Sequence, residues 1–249
     1  MSPSETLLAI IPARGGSKGL PGKNIKPFAG LPLIAHTVLF AKMCPEITRC
    51  IVSTDAPEIV DVARQFGAEV PFLRPAELAQ DDSPLWSVLQ HGLAWAQQHT
   101  RRYDALLLLD PTSPAREPSD IAGAMRRLRE HPDADGIIGV SQPDFSPIWH
   151  CVVERDGWMV DLHPEGSRYS RRQELPVVYR INGSLYIWRT GFVRSQQEGT
   201  WRQSGKHLLY EIPESRAMSI DTADEFERAE LLVKGGLISF PWLNESRVR

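Results

Sequence analysis

A glycine-rich loop with three cations directly follows the first apolar stretch of the sequence. Residues 10–24 read IIPARGGSKGLPGKN and contain four glycines together with Arg14, Lys18 and Lys23. Glycines let backbone N–H groups approach a phosphate closely, and the cations supply the charge that a polyphosphate requires. The spacing matches neither a Walker phosphate loop nor a G-x-G dinucleotide motif. These residue types therefore predict a polyphosphate site of a third kind.

The elements that must position this loop follow from the hydrophobic pattern. Short apolar runs alternate with segments of helical periodicity, which predicts parallel strands joined by crossover helices. We expect one domain over residues 1–249, with a doubly wound, mostly parallel, Rossmann-like α/β sheet. The loop after the first strand of such a sheet opens at its carboxyl edge, where ligands bind. Predicted strands cover residues 7–12, 50–53, 70–73, 105–109, 136–140, 184–188, 206–212 and 218–220. Predicted helices cover residues 33–42, 57–65, 83–98, 118–129 and 222–233.

The alternation of strands and helices is interrupted at about residues 143–178. This stretch is rich in Pro, Arg, His and Trp and contains a predicted hairpin over residues 151–160 that turns at Asp156 and Gly157. We interpret it as a lobe inserted into the domain. The last ten residues, 240–249, are expected to be loosely held because chain termini often are.

Composition excludes several classes of protein. The formal net charge of the 249 residues is −3, which argues against the broad basic face of a nucleic-acid binder. Cys44, Cys50 and Cys151 fit no metal-binding spacing, and their odd number argues against a disulfide framework, so we expect a reducing, cytoplasmic environment. The sequence has no apolar stretch near the roughly 20 residues of a membrane span.

The loop and several later motifs resemble the N-acylneuraminate (CMP-sialic acid) cytidylyltransferase family. The family's opening signature has the form ARxxSKxLPxKN, and residues 13–24 match it at every specified position. The resemblance continues in IVSTD (51–55), LRPAELAQD (73–81), DPTSPAR (110–116), RQELPVVYRINGSLY (172–186) and SIDTADEFERAE (219–230). It therefore extends over nearly the whole chain.

This resemblance implies transfer of CMP from CTP to the anomeric hydroxyl of an acidic 2-keto-3-deoxy sugar, a sialic acid or related nonulosonate, with release of pyrophosphate. It also implies Mg²⁺ as cofactor and a homodimer in which the inserted lobe reaches the neighbouring site. The implied catalytic residues are Arg14, Lys18, Lys23 and Asp221. The implied nucleotide-binding residues are Ala13, Arg14, Gly15, Gly16, Ser17, Lys18, Lys23, Asn24 and Arg74. The implied substrate-binding residues are Asp110, Arg172, Gln173, Arg180 and Asn182.

Two positions depart from the family pattern. The family commonly has Asp-x-Asp before its last helix to hold Mg²⁺, whereas this chain has Ser219 and Asp221. The family usually has Gln before PTSP, whereas this chain has Asp110. We hypothesise that Asp110 and Asp221 together bind Mg²⁺, since carboxylate oxygens are ligands that this hard cation prefers. The alternative is that Asp110 only caps the following turn through its carboxylate.

The sequence leaves other functions open. One is a catalytically weak protein that binds CTP or a sugar acid, because an expected metal ligand is missing at Ser219. Another is a cytidylyltransferase for a different acid, such as 3-deoxy-octulosonate. The pattern RxNGxxY, residues 180–186, favours the sialic or legionaminic branch of the family. A kinase-like NTPase is disfavoured because the Walker loop is missing.

Overall fold

The computed structural model describes residues 5–197 and 199–245, which form a central six-stranded sheet with helices on both faces. The strands are β1 (Leu7–Pro12), β2 (Pro27–Phe28), β3 (Leu31–Pro32), β4 (Ile47–Ser53), β5 (Ala105–Leu108), β6 (Gly136–Ser141), β7 (Val152–Arg155), β8 (Trp158–Asp161), β9 (Arg180–Arg189) and β10 (His207–Glu211). The helices are α1 (Leu33–Lys42), α2 (Pro57–Gln65), α3 (Leu85–His99), α4 (Pro118–Glu130), α5 (Pro147–His150), α6 (Thr190–Ser195), α7 (Trp201–Ser204), α8 (Ala223–Lys234) and α9 (Pro241–Glu245). Within the described ranges, every helix is too short or too polar to cross a bilayer.

The central sheet has the strand order β10-β6-β9-β5-β1-β4. Strand β1 pairs in parallel with β4 and β5, and β10 pairs in parallel with β6. Only β9 reverses direction among these six strands, because it runs antiparallel to both β5 and β6. The prediction of a doubly wound, mostly parallel sheet is confirmed, and the carboxyl ends of β1, β4 and β5 meet at one edge.

Two predicted strands are wrong. Residues 70–73 run beside the outer strand β4 and contact it through isolated bridges, Ile51 with Glu69 and Thr54 with Leu73. Pro71 lies in this stretch, and a proline cannot donate a ladder hydrogen bond. Residues 218–220 are not a strand either, although Ile220 donates a backbone hydrogen bond of 2.9 Å to Thr112. Neither segment forms a strand of the central sheet.

Apolar residues of β1 face alternately to the two sides of the sheet. Leu7, Ala9 and Ile11 belong to one buried cluster, with α1, α2 and α4 packed over it. Leu8 and Ile10 belong to the other cluster, which α3 and α6 cover. A strand that is buried on both faces must be apolar at every position, which explains the uninterrupted run LLAII.

The C-terminal residues pack against the first helix more tightly than the sequence predicted. Phe240 and Trp242 are buried, and their rings stack with centroids 5.2 Å apart. The Trp242 indole donates a hydrogen bond of 3.1 Å to Nδ1 of the buried His36 on α1. The expectation of a loosely held tail is therefore wrong for Phe240 and Trp242. The remainder of that expectation, residues 246–249, falls outside the described residues.

The segment at residues 143–178 contains the predicted hairpin, formed by β7 and β8. Asp156 and Gly157 make its turn with positive φ angles of 52° and 82°. Short 3-10 turns follow at Pro164–Arg168 and Arg172–Glu174. Several large apolar side chains of this segment are exposed: Phe145, Val152, Trp158, Met159, Leu162 and Val177.

Candidate functional site

The loop after β1 is held in shape by close packing and by a buried amide. A Cβ atom at Gly15 would lie 2.9 Å from the Cβ atom of Ala56, and one at Gly19 would collide with the backbone oxygen of Asp221. Asn24 is buried, and its amide donates a hydrogen bond of 3.0 Å to the backbone oxygen of Arg14. These contacts bring both ends of the loop together at the carboxyl edge of the sheet.

The loop forms one wall of a cleft of about 510 Å³. Predicted nucleotide-binding residues that line the cleft are Arg14, Ser17, Lys18, Lys23, Asn24 and Arg74. Ala13 is buried in the core, and the backbone N–H of Gly15 donates a hydrogen bond of 3.0 Å to Asp55. These two residues hold the loop against the rest of the domain and do not themselves line the cleft. Gly16 has open space around its α-carbon.

All three cations of the loop are paired with carboxylates that also line the cleft. Asp81 accepts Nη1 of Arg14 at 2.7 Å on one oxygen and Nζ of Lys18 at 2.6 Å on the other. Asp221 lies 2.7 Å from Nζ of Lys23. Hydrogen bonds from Lys18 and Arg14 hold the pKa of Asp81 below its usual value. A polyphosphate that enters the cleft would therefore compete with Asp81 and Asp221 for these cations.

Asp221 stands at the junction of the cleft and helix α8. Ser219 donates a hydrogen bond of 2.7 Å to the second carboxylate oxygen of Asp221. Partial burial would raise the pKa of Asp221, but the hydrogen bonds from Lys23 and Ser219 outweigh it and lower the pKa. Ser219 thus orients Asp221 from the position where the family commonly has a first aspartate.

Arg74 is buried beside the cleft and directs donors towards the end of β4. Its Nε donates to Oγ of Ser53 at 3.1 Å, and its Nη2 donates to the backbone oxygen of the same residue. Burial lowers the pKa of Arg74 to about 10, which leaves the guanidinium charged near neutral pH. The residue fixes the loop that follows residue 73 against the sheet edge.

Asp110 lies at the carboxyl end of β5 and caps the following turn. One carboxylate oxygen accepts hydrogen bonds from the backbone N–H of Thr112 at 3.1 Å and from its hydroxyl at 2.9 Å. The capping geometry that the sequence left as an alternative is therefore present. Asp110 also lines the cleft, as does Asp221. Among residues 5–197 and 199–245, no group of three or more His, Cys, Asp or Glu side chains is arranged to hold a metal ion.

Arg116, which sequence analysis did not single out, connects the end of β5 to the middle of β9. It is buried and donates hydrogen bonds to the backbone oxygens of Asp110 and Ser184. Burial lowers its pKa to about 10. The motif DPTSPAR contains this arginine, so the resemblance could have flagged it. Asp81 was missed in the same way, at the end of LRPAELAQD.

The structure does not bring the other four predicted substrate-binding residues to the cleft of their own chain. Arg180 is bound by both carboxylate oxygens of Glu214, at 2.6 to 3.0 Å, and lines a separate cavity of about 900 Å³. Asn182 is buried and bonds to Ser141 at 2.9 Å. Arg172 and Gln173 are exposed on the segment at residues 143–178.

A smaller cavity of about 280 Å³, different from the one that Arg180 lines, adjoins the cleft. Asp110 and Asp221 line both this adjoining cavity and the cleft. Leu85 and Thr112 also line both spaces. The other residues of this adjoining cavity are Leu108, Ser113, Gly183, Tyr186, Trp201, Arg202 and Ser219. Tyr186 ends the RxNGxxY pattern, but Trp201 and Arg202 belong to no motif. The cleft and the adjoining cavity thus share Leu85, Asp110, Thr112 and Asp221 as common lining.

Comparison with known proteins places these features in a family. The cytidylyltransferase family profile matches residues 8–238. The chain is similar to the CMP-N,N'-diacetyllegionaminic acid synthase of Legionella pneumophila, with 35% identity that covers 92% of this chain and 96% of that protein. It is also similar to the pseudaminic acid cytidylyltransferase of Campylobacter jejuni, with 28% identity over 91% of this chain and 96% of that protein.

Among solved structures, the fold is similar to that of CMP:2-keto-3-deoxy-manno-octonic acid synthetase complexed with CTP. The TM-score is 0.71 at 18% identity, and the match covers 93% of this chain and all of that chain. This likeness supports the Rossmann-like α/β architecture. The family profile and the legionaminic acid synthase, both of which span most of the chain, confirm the resemblance drawn from the sequence. The protein therefore belongs to the cytidylyltransferase family.

Proposed function

We propose that the protein transfers CMP from CTP to the anomeric hydroxyl of an acidic 2-keto-3-deoxy sugar of the nonulosonate class, and releases pyrophosphate. The observation that carries this proposal is the convergence of Arg14, Lys18 and Lys23 on one cleft beside an adjoining cavity. The cleft would take the triphosphate of CTP, and the adjoining cavity would take the sugar. Asp110 and Asp221 stand at the border between the two.

The proposed reaction needs charge compensation more than covalent help from the protein. The sugar hydroxyl oxygen forms a bond to the α-phosphorus, the bond from that phosphorus to the bridging oxygen breaks, and pyrophosphate leaves. The hydroxyl proton is released in the same reaction. Negative charge collects on the phosphate oxygens and on the leaving group. Arg14, Lys18 and Lys23 would stabilise this charge after they exchange Asp81 and Asp221 for the triphosphate.

The carboxylates at the border fit a role in binding Mg²⁺. Magnesium is usually held by one or two carboxylates together with substrate phosphates, so a dedicated cluster of three acidic groups is not required. Asp221 is partly exposed at the cleft, and Asp110 lines it from the end of β5. When bound, Mg²⁺ would neutralise charge on the phosphate oxygens. Asp221 is the ligand that the family pattern supports, and Asp110 is the additional ligand that we propose.

Similarity to relatives favours a nonulosonate as the acceptor. The relatives with the matches given above are named for legionaminic and pseudaminic acid. An N-acylneuraminate cytidylyltransferase of Streptococcus agalactiae is 29% identical over 88% of this chain, which spans about half of that longer protein. The octonic acid synthetase shares only 18% identity, so 3-deoxy-octulosonate is the less favoured acceptor.

A cytoplasmic homodimer is part of the proposal. The free thiols of Cys44, Cys50 and Cys151 suit a reducing compartment, and CTP is an intracellular nucleotide. Exposed apolar side chains of the segment at residues 143–178, Trp158 and Met159 above all, suit a surface that a second copy covers. That second copy could bring Arg172 and Gln173 to the neighbouring site, as the family resemblance implies.

The experiment that tests this function is pyrophosphate release from CTP with Mg²⁺ over a panel of acceptors. The panel contains legionaminic, pseudaminic and N-acetylneuraminic acids, 3-deoxy-octulosonate and no acceptor, with ATP and EDTA controls. We expect release that requires CTP, metal and one nonulosonate. Failure of every acceptor, with protein that still binds CTP, would contradict the transfer activity.

A further inference from the structure

The acid substrate that we propose carries its carboxylate on the same carbon as the anomeric hydroxyl that reacts. That carboxylate must therefore lie close to the border between the cleft and the adjoining cavity. Asp110 and Asp221 line this border and would repel it. Mg²⁺ bound by these two residues would offset part of that repulsion. The carboxylate of the acid still needs a hydrogen-bond donor of its own on the side of the adjoining cavity. This step rests on the proposed function, because it takes the substrate to be a 2-keto-3-deoxy acid.

Most cations that line the two spaces already have strong partners. Arg14 and Lys18 are paired with Asp81, and Lys23 is paired with Asp221. Arg74 donates hydrogen bonds to Ser53. Each of these cations thus already has a partner, and the first three are assigned to the triphosphate.

Arg202 is the exception among the cations that line the two spaces. Within the described part of the chain its side chain has no hydrogen bond and no ion pair, and its guanidinium lies over the ring of Trp201 at 5.2 Å. Its planar pair of donors matches the two oxygens of a carboxylate. Tyr186 and Asp110 line the same small cavity as Arg202. Arg202 can therefore accept an anion without losing a partner.

Trp201 fixes the position of the short helix α7 that carries Arg202. Its ring packs against Tyr186 at 6.1 Å and Trp188 at 5.5 Å, both on β9. Its backbone oxygen lies 2.8 Å from Nε2 of His207 at the start of β10. These contacts anchor Trp201 to two strands of the sheet, and the guanidinium of Arg202 packs over the Trp201 ring, which orients the side chain where it lines the adjoining cavity. A cation held in place loses less conformational freedom when a ligand binds.

We propose that Arg202 binds the carboxylate of the sugar acid in the adjoining cavity and so sets the preference for acidic acceptors. Arg172 and Arg180, which the sequence resemblance implied for this contact, do not line this cavity in their own chain. Arg180 is already engaged by Glu214. In this assignment the charge of Arg202 neutralises the carboxylate of the acid, and Trp201 supplies an apolar wall for the sugar.

The test compares the preferred sugar acid with its methyl ester, which has no negative charge. For wild-type protein we expect kcat/KM to favour the acid by about ten- to a hundredfold, the usual effect of a hydrogen bond to a charged group. Arg202→Gln should lose most of this preference through a higher KM for the acid. The KM for CTP should stay within about twofold, because CTP uses other cations. Arg202→Lys should recover part of the preference.

Arg194→Gln is the matched control, since Arg194 is exposed on α6 and contacts Gln97 outside both spaces. An Arg202→Gln protein that keeps the full preference for the acid would overturn the assignment. An equal rise in the KM for CTP would also overturn the assignment. A preference for the acid that is lost in Arg172→Gln but retained in Arg202→Gln would overturn it as well. If wild-type protein transfers CMP to no acid at all, the proposed function itself fails. If wild-type protein transfers CMP to the acid but Arg202→Gln keeps the full preference, only the assignment of Arg202 fails.

Discussion

Ion pairs in the cleft show how single residues prepare it for a polyphosphate. Asp81 bridges Arg14 and Lys18, and Asp221 holds Lys23, so the cations are oriented before any ligand arrives. The same carboxylates compete with the ligand for those cations. The carboxylates therefore orient the cations but lower the affinity of the cleft for a polyphosphate. Removal of one carboxylate should show how large this loss of affinity is.

Asp81→Asn should bind inorganic pyrophosphate more tightly than wild-type protein. The substitution removes a negative charge that two cations must give up, and exposed ion pairs of this kind have small energies, so we expect a decrease in Kd of a few fold. Isothermal titration calorimetry would measure it, with the exposed neighbour substitution Asp82→Asn as the control. Weaker binding in Asp81→Asn would mean that the carboxylate contributes to holding the ligand.

Asp110→Asn separates the two roles of the residue at the end of β5. An asparagine oxygen can still accept the two hydrogen bonds from Thr112, so the turn should survive, but the charge is lost. If Asp110 binds Mg²⁺, the metal concentration for half-maximal pyrophosphate release should rise by about tenfold or more, since a charged ligand is removed. The exposed substitution Asp133→Asn serves as control. An unchanged metal requirement would leave Asp110 with the capping role alone.

Between elements, the contact of α1 with the C-terminal residues produces a buried histidine that stays neutral. The ring of His36 uses both nitrogens, since Nε2 lies 2.8 Å from the backbone oxygen of Phe28 and Nδ1 accepts from Trp242. Burial lowers its pKa from 6.5 to about 4, although the hydrogen bond to Phe28 acts in the opposite direction. Protonation would break the contact with Trp242 and charge the core.

Stability should therefore fall in mild acid through His36. The folded-state pKa is lower than the unfolded one, so the unfolded chain takes up a proton first as the pH drops below about 6.5, and the loss is complete below about 4. Between pH 7 and pH 5 this group alone should remove about 2 kcal/mol from the free energy of unfolding. Urea titrations of wild type and His36→Gln would measure it. The prediction would be contradicted if the free energy of unfolding had the same pH dependence in wild type and His36→Gln. His131→Gln, at an exposed histidine, is the control.

For the molecule as a whole, the segment at residues 143–178 differs from the sheet domain in how much apolar surface it exposes. Trp158 is 74% exposed and Met159 is 78% exposed, and both lie on the hairpin strand β8. Large apolar side chains that cluster at a surface usually mark an interface. The proposed homodimer would cover them and would bring the partner's copy of this segment near the cleft.

The double substitution Trp158→Ser and Met159→Ser should shift the protein from dimer to monomer. Loss of two apolar contacts at the centre of an interface commonly costs several kcal/mol of association energy, on the order of a hundredfold or more in Kd. Sedimentation velocity would report the change. The matched control is Leu231→Ser with Leu237→Ser, which removes exposed leucines at the end of α8 and after it. A wild-type monomer, or a variant that remains dimeric, would contradict the proposed interface.

Local sequence determined the elements and the loop chemistry of this protein. The apolar run LLAII, helical periodicity and the glycines with Arg14, Lys18 and Lys23 are short-range patterns, so they predicted β1, α1, α2 and the cationic loop. Only the tertiary structure decided which distant side chains meet. It paired Arg180 with Glu214, Arg14 with Asp81 and Trp242 with His36, reversed β9 within the sheet, and brought Arg202 from α7 beside Asp110. The physical reason is that periodicity and turn chemistry act over a few residues, whereas such contacts depend on strand order and on packing across the whole chain.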